Sequence, residues 1–239
     1  MFSQQIAAQD FNYRFLVISL LYLVRGTQPD IANVVRELSK NLACYNKTHW
    51  VAARRMLKYL KGTSTYGLLL DGYSRPMTYE VYTDASLECQ TNERMSVIDY
   101  VISMAGSSVS WCRSKQSLIS LSTAEAELIV LSEGAKESEW LWYLLREMGF
   151  PQEKPVWVWC DSKAAFRMVK NPGNHKVTKY TEIRFLFTKG LVEEARLEIQ
   201  YCSTSDMAAD ILTKALSTGL IIKVRELIGV KDLKITGDI

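Results

Sequence analysis

The order of hydrophobic patterns between residues 79 and 215 constrains the fold of this chain more than any other feature of its sequence. Apolar residues at every second position indicate strands, and apolar residues three or four positions apart indicate helices. By these patterns the sequence predicts three strands, a long helix, a strand, a helix, a strand and a closing helix. This order implies an α/β fold in which a mixed sheet is flanked by helices.

The bounds of these elements follow from the same patterns and from turn residues. Ala105-Gly106-Ser107 separates the second strand from the third, which predicts a hairpin. The expected strands are 79–84, 97–104, 108–112, 156–160 and 197–201, and the expected helices are 123–148, 164 onwards and 208–215. Four tryptophans are expected in the core rather than as platforms for nucleic-acid bases: Trp140, Trp142, Trp157 and Trp159.

The first 62 residues show the helical spacing of apolar residues. Pro29 lies where a second helix would begin, and Gly62 ends a third helical segment. Gly72 and Pro76 then mark the edge of a domain. We therefore expect a helical N-terminal segment over residues 1–75, one domain over residues 76–216, and a C-terminal helix and tail over residues 217–239.

The composition excludes several classes of protein. With 48% hydrophobic residues, the chain can build a core. Five cysteines without a Cys-x-x-Cys pair, beside two histidines, argue against a zinc site and against a disulfide framework. The apolar run 15–24 is too short to span a bilayer, and the single Arg14 before it, which follows Asp10, does not form the basic start of a signal peptide. These features predict a soluble intracellular protein without a membrane partner, cytoplasmic or nuclear.

Three acidic residues lie where such a fold exposes side chains for chemistry. Asp84 and Asp161 are expected at strand ends, and Asp210 one turn inside the final helix. Ligand sites in open α/β sheets gather near strand ends, so these carboxylates can converge. A carboxylate cluster suits Mg²⁺, and two such ions about 4 Å apart can activate water and stabilise a leaving oxygen. The alternative is that all three are solvated or helix-capping carboxylates.

A fourth acidic residue comes from the long helix, where Glu125 and Glu127 compete. Two positions turn a helix by about 200°, so only one of them can face the cluster. Ser122 and Glu125 have the spacing of a capping box, which gives Glu125 a structural task. Glu127 shares a face with Val130 and Leu131, as a residue that faces the sheet would. The spacing favours Glu127.

Short motifs stand in a fixed order over residues 13 to 230. They are Thr27-Gln28-Pro29-Asp30-Ile31-Ala32, His49-Trp50, Tyr59-Leu60-Lys61-Gly62-Thr63, Tyr82-Thr83-Asp84-Ala85, Val109-Ser110-Trp111, Lys115-Gln116, Leu121 to Glu127, Cys160-Asp161, Asn171-Pro172 and Ala209-Asp210-Ile211-Leu212-Thr213-Lys214. In this order they resemble the ribonuclease H region of copia-type retrotransposon reverse transcriptases, with the connecting region that precedes it. Several ordered motifs together are far more specific than any one of them.

The resemblance implies a ribonuclease H-like fold with a five-stranded mixed sheet. It also implies a catalytic and metal-binding Asp-Glu-Asp-Asp set, which maps to Asp84, Glu127, Asp161 and Asp210. The implied activity is metal-dependent endonucleolytic cleavage of the RNA strand of an RNA–DNA hybrid. The implied cofactor is a pair of Mg²⁺ ions, for which Mn²⁺ can substitute, and a further implied partner is the polymerase part of a reverse transcriptase.

Basic residues supply candidates for phosphate contacts. Arg54, Lys58 and Lys61 repeat at helical spacing, and a second stripe begins at Lys163. The nucleic-acid-binding candidates are Arg54, Lys58, Lys61, Lys163, Arg167, Lys179 and Arg184. Each stripe could equally be a solvated helix face. His175 could serve as a mobile histidine near the metals, or be a surface or helix-capping histidine.

The sequence also departs from the family pattern. Asp84-Ala85 is followed by Ser86-Leu87-Glu88 instead of Asp-Trp-Ala, and Asp99 stands where glycine is usual. The Tyr-x-Asp-Asp motif of the polymerase is not found. Two alternatives to an active enzyme therefore stay open. One is an inactive, truncated retroelement fragment that at most binds nucleic acid, and the other is a structural role for residues 1–75 as a connection module.

Overall fold

The structure is a computed structural model that describes residues 12–72, 75–87, 96–116, 120, 122–170 and 179–233. The chain divides into two compact units. The first unit consists of Met1–Leu69 together with Val230–Ile239, and the second is Leu70–Gly229.

The first unit is built mainly from three helices. They are α1 (Tyr13–Gly26), α2 (Ala32–Ser39) and α3 (Lys47–Gly62), with a 3-10 turn at Pro29–Ile31. Asn46 caps α3, because its side chain accepts from the backbone N–H groups of Thr48 and His49. The His49 ring accepts from the Asn46 N–H at 3.1 Å and closes a capping box. Within the described residues, the expected helices of the N-terminal segment are thus confirmed over 13–62.

A two-stranded sheet completes the first unit. β1 (Tyr66–Leu68) pairs antiparallel with β7 (Val230–Asp232). No pattern in the sequence predicted this sheet. Strands of three residues are too short to show a period, and their partners are more than 160 residues apart along the chain.

The second unit contains a five-stranded mixed sheet. Its strands are β2 (Tyr79–Leu87), β3 (Ser96–Met104), β4 (Ser107–Lys115), β5 (Val156–Cys160) and β6 (Leu197–Tyr201). They lie in the order β4-β3-β2-β5-β6. The pairs β2–β3 and β3–β4 are antiparallel, whereas β2–β5 and β5–β6 are parallel. The ribonuclease H-like α/β fold is therefore confirmed.

Helices flank this sheet. They are α4 (Thr123–Glu147), α5 (Lys163–Lys170), α6 (Lys179–Glu193), α7 (Asp210–Thr213) and α8 (Thr218–Leu227). Leu128 and Leu131 of α4 are fully buried in one core with Val81 of β2. Gly134 lets α4 approach closely, because a Cβ there would lie 2.6 Å from Cγ2 of Thr83.

Three expectations about elements need correction. β2 continues to Leu87, so Asp84 lies within the strand instead of ending it. Pairing with β3 over its whole length holds the extra residues in the ladder. Two helices, α5 and α6, rather than one lie between β5 and β6. The helix expected over residues 208–215 is the short α7, and Asp210 is its first residue instead of lying one turn inside.

The tryptophans do not all lie in the core as expected. Trp140 is 58% exposed and Trp157 is 50% exposed. Trp157 alternates with the buried Val156 and Val158 along β5, so its side chain leaves the opposite face of the strand. Trp142 and Trp159 are half-buried. Hydrophobic residue type alone did not predict which face each tryptophan takes.

The described helices include none that is long and apolar enough to cross a membrane. Cys44, Cys112, Cys160 and Cys202 are free thiols, and Cys89 lies outside the described residues.

Candidate metal centre

Three carboxylates converge at one edge of the five-stranded sheet. Oxygens of Asp84, Glu127 and Asp161 all lie within 4.8 Å of one another. The parallel pairing of β2 with β5 explains two of them. Thr83 is in register with Cys160, so the next residues, Asp84 within β2 and Asp161 just after β5, lie at the same level of the sheet. Asp161 is the first residue after its strand, as expected.

The third carboxylate is supplied by the first turns of α4. Ser122 caps this helix by accepting from the N–H of Glu125 at 3.1 Å. Glu127 follows half a turn later, and its carboxylate accepts from the backbone N–H of Ala85. Glu125 is buried and is not a member of the carboxylate cluster. The structure thus brings Glu127, the favoured candidate, to Asp84 and Asp161.

Asp210 reaches the cluster through a lysine. Lys214 Nζ lies 2.6 Å from Oδ1 of Asp210 and 3.6 Å from Oδ1 of Asp84. Thr213 also donates its hydroxyl to Oδ2 of Asp84 at 3.1 Å. Lys214 belongs to a motif of the sequence, but no role was predicted for it. The signal that could have found it is the four-residue spacing from Asp210, which brings two helical side chains together.

Burial of like charges shifts the acid–base equilibria of the site. Burial raises the pKa of Glu127 to about 9, and the charges of Asp84 and Asp161 contribute to this rise. Burial raises the pKa of Asp210 to about 6, against the hydrogen bond from Lys214, which lowers it. The pKa of Asp84 is raised for the same first reason. Without a further cation, the cluster therefore favours bound protons.

The donor set fits a hard divalent cation. Oε2 of Glu127 and Oδ2 of Asp210 are buried and have no hydrogen-bond partner among the described residues. Buried carboxylate oxygens without partners are costly, and a cation bound by oxygen ligands removes that cost. The residues present can therefore hold a metal ion such as Mg²⁺.

The predicted phosphate-binding residues fall into separate groups. Arg54, Lys58 and Lys61 are exposed on α3 in the first unit. On α5 of the second unit, Lys163 and Arg167 are exposed, and Lys163 Nζ lies 5.3 Å from the centre of the Tyr201 ring.

Arg184 differs from these exposed residues. It is half-buried and forms an ion pair with Glu133 and a hydrogen bond to Ser132. Lys179 begins α6, but its side chain lies outside the described part of the structure, as does His175. Their predicted roles stay predictions.

A second buried acidic residue lies beside the cluster. Asp99 of β3 is the cross-strand partner of Asp84 and is fully buried. On its other side it pairs with Arg113 of β4, whose Nε lies 3.8 Å from Oδ1 of Asp99. Asp99 stood out in the sequence as an unusual acidic residue, but its partner could not be predicted.

Sequence relatives identify the family of the chain. Over 217 residues, which are 91% of the chain, it is 36% identical to the retrovirus-related Pol polyprotein from transposon TNT 1-94 of Nicotiana tabacum. Over 206 residues, or 86% of the chain, it is 32% identical to the Pol polyprotein from transposon RE2 of Arabidopsis thaliana. The chain belongs to the copia-type retrovirus-related Pol polyproteins. No protein-family model matches it.

This Pol chain spans only a part of those relatives, 16% of the first and 14% of the second. It is also 37% identical over 131 residues to a Plasmopara viticola protein named secreted RxLR effector protein 161, and this match covers 54% of the chain and 90% of that protein. Among solved structures, a ribonuclease H1 isolated from compost is similar at a TM-score of 0.43 and 19% identity, over 57% of this chain and 92% of that one.

Proposed function

We propose that this Pol chain is a metal-dependent endoribonuclease that cleaves the RNA strand of RNA–DNA hybrids as part of a retrotransposon reverse transcriptase. The convergence of Asp84, Glu127 and Asp161 within 4.8 Å carries the proposal. Three distant segments of the sequence supply these residues, and their mutual repulsion is unfavourable unless a cation is bound. Membership of the Pol family and the ribonuclease H-like fold support this reading of the cluster.

The metal ligands in this proposal are Asp84, Glu127, Asp161 and Asp210. Mg²⁺ or Mn²⁺ bound there would activate water for attack on the phosphate and stabilise the leaving oxygen. The protein orients the ligands. The Ala85 N–H holds the carboxylate of Glu127, and the Thr213 hydroxyl holds that of Asp84. Such preorganisation fixes the geometry before substrate arrives.

Recognition of the hybrid is proposed to use its backbone rather than its base sequence. Duplexes that contain RNA are read mainly through shape, 2′-hydroxyls and phosphates. The exposed residues Lys163 and Arg167 lie on α5, the helix that follows Asp161 directly. Of the phosphate-binding candidates, these two lie nearest in the sequence to a proposed metal ligand. Arg54, Lys58 and Lys61 of the first unit are separate phosphate-binding candidates.

Hydrolysis of an end-labelled RNA–DNA hybrid tests the proposal. We expect cleavage of the RNA strand by the full chain in Mg²⁺ or Mn²⁺, and none in EDTA. Asp161→Asn should abolish cleavage because it removes a ligand charge, whereas Asp206→Asn is the control, since Asp206 is exposed and pairs with Lys223 instead. If the unmodified chain leaves the hybrid intact with every divalent cation, the alternative replaces the proposal: an inactive retroelement fragment that at most binds nucleic acid.

A further inference from the structure

Lys214 lies in the carboxylate cluster, and the proposed function gives it no role. Its ammonium lies between two predicted metal ligands, at 2.6 Å from Asp210 and 3.6 Å from Asp84. Asp210 is almost completely buried, whereas the Lys214 side chain is 38% exposed. The charge of the buried Asp210 carboxylate is therefore balanced by a lysine whose side chain reaches solvent.

We propose that Lys214 is a built-in counter-ion of the cluster, which holds Asp84 and Asp210 together and must leave them before this pair of carboxylates binds a divalent cation. This inference rests on the metal centre of the proposed function.

Electrostatics gives the first reason. Oδ1 of Asp210 and Oδ1 of Asp84 both face the same ammonium group, so a divalent cation bound by these two oxygens would be close to a like charge. The two cations therefore compete for one pair of carboxylates.

The local structure gives the second reason. Lys214 follows the last residue of α7, and its backbone N–H still bonds to the carbonyl of Asp210. Its exposed side chain can turn towards solvent without repacking the core. Oδ2 of Asp210, which has no hydrogen-bond partner among the described residues, remains for a cation that replaces the ammonium. Glu127 and Asp161 can bind a cation without displacing Lys214, whereas Asp84 and Asp210 together cannot. We therefore expect cations to bind in two steps of unequal affinity.

Calorimetric titration of the full chain with Mn²⁺ alone, without nucleic acid, tests the competition. Lys214→Met should tighten the weaker step about tenfold, the factor that corresponds to about 1.4 kcal/mol. Lys214→Arg keeps the charge and should restore weak binding. Lys223→Met is the matched control, because Lys223 forms a 2.6 Å ion pair with the exposed Asp206 and should leave both steps unchanged.

Thermal unfolding in EDTA tests the counter-ion role without any metal. Lys214→Met should lower the melting temperature more than Lys223→Met does, and adding Asp210→Asn should recover part of that loss. If the unmodified chain binds Mn²⁺ and Lys214→Met binds it with the same affinities, the inference is overturned and the proposed function stays intact. If neither protein binds Mn²⁺, the metal centre and the competition both fail. If Lys214→Met and Lys223→Met have the same melting temperature in EDTA, the counter-ion role is overturned as well.

Discussion

Glu125 and Glu127 leave the same turn of α4 in nearly opposite directions, and their glutamine variants should behave differently. Glu127→Gln removes a charge from the proposed cage, so hybrid cleavage in Mg²⁺ should fall by several orders of magnitude. Glu125→Gln should keep cleavage, with a change in the free energy of unfolding of about 1 kcal/mol or less, because the backbone N–H of Glu125, which Ser122 caps, is unchanged. Initial cleavage rates and denaturant unfolding measure both effects. The reverse pattern of activity would mean that Glu125 is the ligand.

The pKa of Glu127 predicts how pH acts on the protein in EDTA. Its ordinary pKa is 4.5, whereas burial and neighbouring carboxylates raise it to about 9 in the folded chain. Between these values the unfolded chain has lost the proton that the folded chain retains, so stability falls as pH rises. Below the lower value both states carry the proton, and the effect vanishes. Glu127→Gln should flatten this fall in urea titrations between about pH 5 and 9. An equally steep fall in the variant would assign it to other groups.

Asp99 and Arg113 form a buried ion pair beside Asp84, and breaking it should be costly. Arg113→Met leaves a charge at Asp99, which is fully buried, and the expected loss of unfolding free energy is about 3–5 kcal/mol. Lys189→Met breaks the partly exposed pair with Glu193 and should cost about 1 kcal/mol or less. Urea unfolding compares the two. The double variant Asp99→Asn with Arg113→Met should recover part of the loss, and equal costs for the two single variants would contradict this account.

Helix α3 presents Arg54, Lys58 and Lys61 on an exposed face, and hybrid binding should reveal whether they bind phosphates. Each bound phosphate releases counter-ions, so replacing all three residues by alanine should reduce the slope of log affinity against log salt by roughly one unit for each phosphate that is no longer bound. Fluorescence anisotropy with a catalytically inactive Asp161→Asn background measures this slope. An unchanged slope in the triple variant would make the stripe a solvated helix face.

The whole molecule separates into two units whose boundaries differ in detail from the segments expected over 1–75, 76–216 and 217–239. Helix α8 belongs to the second unit. The Ser108 N–H donates to the Ile228 carbonyl at 2.9 Å, and Val224 and Ile228 are fully buried. Gly229, the last residue of this unit, has a φ of +80°, and a Cβ there would lie 2.5 Å from Cα of Ser107. The backbone at Gly229 therefore packs closely against Ser107, which only glycine allows.

A fragment over residues 70–229 is therefore expected to fold by itself. It should show a single cooperative thermal transition, because it retains the sheet, its helices and α8. A fragment over residues 76–216 lacks α8 and exposes the surface that α8 covers, so it should melt at a lower temperature. Circular dichroism melting curves of both fragments measure the difference. A 70–229 fragment without a transition would mean that residues 1–69 are part of the same folding unit.

The sequence by itself determined those features that local periodicity and motif order encode. It predicted the five strands of the mixed sheet and the long helix, because side chains alternate along strands and repeat along helices. The same helical period distinguished Glu127 from Glu125. The ordered motifs identified the Asp-Glu-Asp-Asp candidates before any geometry was known.

Only the tertiary structure decided which distant residues meet. The pairing of β1 with β7, the contact of Lys214 with Asp84, and the burial of Asp99 against Arg113 join segments that no local pattern connects. The exposure of Trp157 likewise depends on which face of the sheet other elements cover. A local pattern fixes the direction of a side chain relative to its own backbone, whereas its neighbours are set by the packing of the whole chain.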